Sequence, residues 1–130
     1  MMYMPRSARS VLIVDDEPLV RLMLSRFLSD AGWACRTAED PEQALAILER
    51  EAITDALVDL HLGPWSGFDL IRTIARRYPS VRVVAITGSV VSGGEAARAA
   101  GAARVLMKPF VELNEVVDAL GRDDGSHGLT

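Results

Sequence analysis

The sequence predicts a single α/β domain in which a parallel, doubly wound sheet carries helices on both faces. Short, continuous apolar runs recur along the 130 residues, as is typical of strands that are buried on both faces. Between them lie segments whose apolar residues repeat at helical spacing. Because five strand segments alternate with five helical segments, crossovers must join the strands, and crossovers of this kind make the sheet parallel.

The first half of the chain predicts three strands and two helices. The strands are expected at 11–14, 33–38 and 56–60. Pro18 suits the first turn of the helix that follows the first strand, and Gly32 ends that helix. The second helix begins at Asp40, in a capping-box-like pattern that Gln43 completes.

The second half predicts two more strands and three helices. Ser66 and Asp69 can cap the first of these helices, and Pro79 closes it. The strands are expected at 81–86 and 104–107. The last helix carries an apolar stripe formed by Leu113, Val116, Val117 and Leu120.

The helix expected over 92–102 differs from the others because its inward face is almost entirely alanine. The alanines concerned are Ala96, Ala97, Ala99 and Ala100. Alanine buries little area per residue, so we expect this to be the least stable helix and a switching element. The alternative, that alanine allows the helix to pack closely on the sheet, is left open.

Composition excludes several functional classes. With 49% hydrophobic and 25% charged residues, the chain is far from the composition of a disordered protein. The net charge of −4 argues against a nucleic-acid binder, because such proteins carry an excess of positive charge. Cys35 is the single cysteine of the sequence, so no disulfide can form within the chain. No apolar run is long enough for a secretion signal or a membrane span. We therefore expect a cytoplasmic protein that contacts neither membrane nor nucleic acid directly.

Polar side chains follow four of the five predicted strands, at the edge where ligands of such sheets bind. Asp15 and Asp16 follow the first strand, together with Glu17, and the third, fourth and fifth strands end in Asp59, Thr87 and Lys108. Clustered carboxylates repel one another unless a cation such as Mg²⁺ lies among them. A lysine and a threonine nearby would complement a phosphoryl group. This set predicts phosphoryl transfer onto a carboxylate, with Asp59 as the nucleophile.

Each of these residues also has an ordinary structural explanation, and other functions use similar folds. An acidic pair before a helix compensates the helix dipole, and a strand-end aspartate can act as a cap. A haloacid-dehalogenase-like phosphatase would need a second aspartate where this chain has His61. A flavodoxin-like carrier would bind the FMN phosphate in the first loop, which is acidic here. The coincidence of four such residues at one edge favours the phosphoryl-transfer interpretation.

Four motifs, in the order VLIVDDEP, ALVDLHLGPWSG, VVAITG and VLMKPF, resemble the receiver domain of two-component response regulators. The resemblance covers about 9–121 and leaves 1–8 and 122–130 as short flexible tails. It implies a flavodoxin-like fold with strand order 2-1-3-4-5. It also implies a stand-alone receiver of the chemotaxis-regulator type, a signalling protein and not an ordinary enzyme.

The resemblance assigns a role to each motif residue. Asp59 would accept a phosphoryl group from a histidine kinase or phosphotransfer protein, and Thr87 and Lys108 would respond to the acyl phosphate. A downstream protein partner would read the resulting change on the face of the last helices, and a phosphorylation-dependent homodimer is left open. The Mg²⁺ ligands would be Asp15, Asp16, Asp59 and the backbone carbonyl of His61.

The chain departs from the family pattern at Val105, where many receivers have an aromatic switch residue. The coupling of Thr87 to a rotating ring therefore cannot operate in its usual form. His61 and Ser89 occupy positions that tune dephosphorylation in the family, and we expect His61 to be exposed without a catalytic role. Trp65 is expected to be partly exposed. A degenerate receiver that binds a partner independently of phosphorylation remains the alternative.

Overall fold

The protein forms a five-stranded parallel sheet with helices on both faces. A computed structural model describes residues 9–88, 93–108 and 114–120. In chain order its elements are β1 (Ser10–Val14), α1 (Pro18–Asp30), β2 (Ala34–Ala38), α2 (Pro41–Arg50), β3 (Asp55–Asp59), β4 (His61–Leu62), β5 (Trp65–Ser66), α3 (Gly67–Arg77), β6 (Arg82–Thr87), α4 (Gly93–Ala100), β7 (Arg104–Met107) and α5 (Asn114–Ala119). The predicted tails, Ser89 and Leu113 lie outside the described residues.

The sheet has the strand order β2-β1-β3-β6-β7, and all of its pairings are parallel. Counted within the sheet alone, this is the predicted order 2-1-3-4-5, so the fold prediction is confirmed. The sequence did not predict β4 and β5, which form a separate two-stranded antiparallel hairpin. None of the helices in the described part of the chain is long and apolar enough to cross a bilayer.

The core lies on both sides of the sheet, because alternate residues of the central strands point to opposite faces. In β1, Leu12 and Val14 belong to one buried cluster, and Val11 and Ile13 belong to the other. All five residues of β3 are buried. The continuous apolar runs in the sequence therefore reflect strands that are covered on both faces, as predicted.

Helix ends follow the local signals in the sequence. The Asp40 carboxylate accepts a hydrogen bond from the Gln43 amide at the start of α2. The Ser66 hydroxyl accepts hydrogen bonds from the Phe68 and Asp69 amides at the start of α3. Both predicted caps are confirmed, and each satisfies amides that the helix itself leaves unpaired.

The structure corrects two details of the alanine helix. It ends at Ala100 instead of 102, because Gly101 has a left-handed φ of 128° and ends it, and the predicted start at Ser92 lies outside the described residues. Only Ala97 and Ala100 are buried, whereas Ala96 and Ala99 are exposed. Since residues spaced one apart lie about 100° apart around a helix, four alanines in this pattern cannot share one narrow face.

Strand boundaries differ from the predictions by one residue in four of the five strands, and β1 begins at Ser10 instead of Val11. Trp33 lies outside β2, β3 runs over 55–59 instead of 56–60, and β6 runs over 82–87 instead of 81–86. Asp59 and Thr87 are the last residues of β3 and β6. This fixes both residues by sheet hydrogen bonding.

Candidate functional site

Sheet register brings the predicted polar residues to one edge. Asp59 at the end of β3 pairs in register with Ile86, which places Thr87 one residue further along β6. Thr87 pairs in register with Met107, so Lys108 follows directly at the same edge. The Lys108 amide donates to the Thr87 carbonyl at 2.8 Å, which extends the β6–β7 ladder to the site.

The loop after β3 holds the Asp59 backbone in place. The Gly67 amide donates to the Leu60 carbonyl at 3.0 Å, so the β4–β5 hairpin returns the chain to the end of β3. A Cβ on Gly67 would lie 2.6 Å from the Leu60 Cα and would also strike the Asp59 carbonyl oxygen. The His61 amide donates to Asp59 Oδ1 at 3.0 Å and so orients the carboxylate. Only glycine therefore fits at position 67.

Three carboxylates meet at this edge of the sheet. Asp15, Asp16 and Asp59 can each offer one oxygen, and these oxygens lie within 4.8 Å of one another. Asp15 and Asp59 are buried, whereas Asp16 is exposed. Two buried carboxylates so close together repel each other unless cations compensate them.

Lys108 is the cation that the structure places among these carboxylates. Its Nζ lies 2.9 Å from Asp15 Oδ2, 2.9 Å from Glu17 Oε1 and 3.0 Å from Asp59 Oδ2. It donates hydrogen bonds to Glu17 and Asp59. One ammonium therefore pairs with three carboxylates, so these four side chains together carry more negative than positive charge.

The pKa values reflect this crowding. Burial is the largest influence on Asp15 and raises its pKa; the Glu17 amide and Lys108 lower it by less, and the nearby Asp59 raises it further. Burial alone would lower the pKa of Lys108, but its close contacts with the carboxylates of Glu17, Asp15 and Asp59 outweigh burial and raise it. Lys108 therefore stays positively charged, whereas burial disfavours the charged form of Asp15.

An observation on Asp15 shows that the cluster suits a divalent cation. Within the described residues, the buried Asp15 Oδ2 accepts no hydrogen bond, because Lys108 Nζ lies near it without hydrogen-bond geometry. A buried carboxylate oxygen without a hydrogen bond is costly. Carboxylate oxygens from three aspartates are a ligand set that Mg²⁺ and Ca²⁺ accept. The donor set of this site therefore fits a hard cation.

Sequence reasoning gave no role to two residues that the structure places at the site. The sequence places Glu17 next to the acidic pair, but its contact with Lys108 joins positions 91 apart in the chain. Arg21 donates from Nη1 to the Asp15 backbone carbonyl at 2.7 Å, and its Nη2 lies 3.9 Å from Glu39. The position of Glu17 beside the aspartates could have suggested its role. No sequence signal points to the contact that Arg21 makes with the backbone.

The remaining predicted residues lie around the cluster. Thr87 is buried, the His61 side chain is exposed on β4, and Trp65 on β5 is 50% exposed. Val105 lines a groove of about 670 Å³ along β7 and α5, together with Met107 and other residues of that face. The side chain at 105 that lines this groove is therefore smaller than an aromatic ring.

Comparison with known families and curated proteins points to bacterial regulators. A family model described as the response regulator receiver domain matches residues 11–121. The photosynthetic apparatus regulatory protein RegA of Rhodobacter capsulatus is 31% identical over 115 residues, which are 88% of this chain and 62% of RegA. The response regulator protein PilR of Pseudomonas aeruginosa is 37% identical over 105 residues, 79% of this chain and 23% of PilR. The chain thus spans less than two thirds of these regulators.

Solved structures give the same result for the fold. A response regulator from Burkholderia pseudomallei, solved with a phosphorylated aspartic acid, a calcium ion and citrate, has a TM-score of 0.81 at 30% identity and covers 88% of this chain and 67% of that one. The chemotaxis protein CheY4 of Vibrio cholerae has a TM-score of 0.81 at 28% identity and covers 88% of this chain and 97% of that one.

Proposed function

This chain belongs to the response regulator receiver domain family, and we propose from that premise that it is a signalling protein switched by phosphorylation of Asp59. The observation that carries the proposal is the meeting of Asp15, Asp16, Asp59 and Lys108 at one edge of the sheet. The phosphoryl donor is a histidine kinase or a phosphotransfer protein, and a small acyl phosphate can replace it.

The transfer step uses the carboxylate of Asp59 as the nucleophile. One Oδ attacks phosphorus, an O–P bond forms, and the bond from phosphorus to the donor breaks. The donor leaves with the bonding electron pair, as a histidine imidazole or as the carboxylate of a small acyl phosphate. The burial of Asp59 and the amide of His61, which donates to Oδ1, fix the direction of attack.

Charge neutralisation is the second requirement, because the nucleophile and the phosphoryl group are both anionic. Mg²⁺, when bound, supplies positive charge that offsets both. Asp15, Asp16, Asp59 and the backbone carbonyl of His61 would hold it. Lys108 supplies a fixed cation next to Asp59, and the Thr87 hydroxyl offers a hydrogen-bond donor to the phosphoryl oxygens.

The switched surface is the groove along β7 and α5 that Val105 lines. Lys108 and Thr87 stand at the ends of β7 and β6, so a change in their partners reaches this face through the sheet. A downstream protein partner then recognises the shifted population. Because Val105 has no aromatic ring to rotate, the conformational change reaches the groove through the backbone of β6 and β7.

Intact-mass measurement with acetyl phosphate tests this function. Wild-type protein incubated with Mg²⁺ and acetyl phosphate should gain the mass of one phosphoryl group. Asp59→Asn should gain none, and Asp69→Asn, which changes an exposed aspartate on α3, should behave like wild type. If the wild type gains no mass, the chain is a degenerate receiver that binds its partner independently of phosphorylation.

A further inference from the structure

Glu17 stands at the start of α1 but does not cap the helix. It holds the N-cap position with an extended backbone, and its side chain accepts no hydrogen bond from the amides of the first turn. The starts of α2 and α3, by contrast, are capped by Asp40 and Ser66. The Glu17 carboxylate points instead to Lys108 Nζ, 2.9 Å away. The chain therefore gives up a stabilising cap and uses this side chain for a contact at the site.

The contact occupies a hydrogen-bond donor that a phosphoryl group needs. An ammonium has three N–H groups, and three carboxylates already surround that of Lys108. A phosphoryl group on Asp59 requires at least one of them. Asp15 is buried and loses the ammonium beside its Oδ2 if Lys108 leaves it, whereas the Glu17 side chain is 58% exposed and can return to water. Glu17 is thus the partner that can yield.

We propose that Glu17 is a positioning residue that holds Lys108 in the unphosphorylated protein and competes with the phosphoryl group for it. This inference rests on the proposed function. Glu17 also places a negative charge within reach of the incoming anion, which opposes its approach. Both effects lower the rate of phosphoryl acceptance, so removal of the Glu17 charge should accelerate it.

The first test reads the contact without any phosphoryl donor. Lys108 is the only lysine of the sequence, so selective ¹³C and ¹⁵N labelling of lysine gives a single Cε/Nζ signal. Glu17→Gln keeps the length of the side chain but removes its charge, and should shift this signal. Glu39→Gln is the matched control, because Glu39 is a similarly exposed glutamate that pairs with Arg21 and not with Lys108.

The second test measures acceptance of the phosphoryl group from acetyl phosphate with Mg²⁺. In this reaction the bond between Asp59 Oδ and phosphorus forms, and acetate leaves with the electron pair of the bond that breaks. Glu17→Gln should react about fivefold faster than wild type, the size expected for release of one exposed charge pair. Glu39→Gln should react at the wild-type rate.

A third variant separates the competition from general damage to the fold. In Glu17→Ser, the serine hydroxyl can cap α1, so the variant should unfold at a temperature no lower than wild type while it also reacts faster. An unshifted lysine signal in Glu17→Gln overturns the inference, as does an acceptance rate equal to or below that of wild type. If wild type itself accepts no phosphoryl group, the proposed function fails, and the lysine signal still reports the contact.

Discussion

Gly67 lies where the end of β3 leaves no room for a side chain, and replacing it with alanine gives a prediction whose size follows from the structure. A Cβ there would lie 2.6 Å from the Leu60 Cα and 2.9 Å from the Asp59 carbonyl carbon, and it would strike the Asp59 oxygen. All three atoms are backbone, so no side-chain rotation can relieve the clash. The chain that carries Asp59 must move instead.

The expected cost combines two opposing contributions. Forcing extra volume into a packed site costs about 1–3 kcal/mol. Alanine is a better helix former than glycine by about 1 kcal/mol, and Gly67 is the first residue of α3, so part of this gain offsets the cost. We therefore expect Gly67→Ala to lower the free energy of unfolding by about 2 kcal/mol. Gly88→Ala is the control, since a Cβ there meets no described atom within 4 Å.

Urea unfolding measures this difference. With a slope of about 2 kcal/mol per molar urea, the midpoint of Gly67→Ala should fall by about 1 M, and that of Gly88→Ala should stay near wild type. Displacement of Asp59 should also slow phosphoryl acceptance from acetyl phosphate. The reasoning fails if Gly67→Ala unfolds at the wild-type midpoint, or if both glycine variants lose the same stability.

Three further predictions concern the charge cluster, the exposed face of α1 and the single thiol. Burial, and then repulsion from Asp59, raise the pKa of Asp15, so its stabilising contribution is present at low pH and is lost as pH rises through the folded pKa. In EDTA at neutral pH, Asp15→Asn should therefore unfold at a higher temperature than wild type. Added Mg²⁺ should raise the unfolding temperature of this variant by less than it raises that of wild type. An unfolding temperature below that of wild type in EDTA would contradict this. Leu19, Leu22 and Met23 are exposed at helical spacing on α1, so Leu22→Glu should slow transfer from an autophosphorylated histidine kinase but not from acetyl phosphate, and equal slowing of both would refute a docking role. Burial raises the pKa of the Cys35 thiol, so iodoacetamide at neutral pH should react with it more slowly in the folded protein than in urea, and equal rates would show that the thiol is open.

The fold was predictable because its signals are local and repeated. The run from Val11 to Val14 predicts a strand buried on both faces, and Asp40 and Ser66 predict helix starts that the structure confirms. The hairpin of β4 and β5 was missed, because strands of two residues have no periodicity to detect. The predicted inward face of α4 was wrong for Ala96 and Ala99, because alanine is too weakly hydrophobic to indicate which side of a helix faces the core.

The sequence predicts which residues lie near one another at the site, but it does not predict which side chains contact each other. Parallel strands end at one edge, so residues that end them must be neighbours, and Asp15, Asp59 and Lys108 do meet there. The contact between Glu17 and Lys108 depends on side-chain conformations and on residues far apart in the chain. Such a contact leaves no pattern in a single sequence.

The central claim is that Asp59 itself forms the bond to phosphorus, and reductive trapping tests it directly. Borohydride converts a phosphorylated aspartate to homoserine, and cleavage after arginine releases a peptide spanning 51–72. That peptide also contains Asp55 and Asp69, which serve as internal controls. After treatment with acetyl phosphate and Mg²⁺, fragmentation should locate homoserine at position 59 alone, and EDTA should abolish it. Homoserine at 55 or 69, or none in the peptide, would contradict the account.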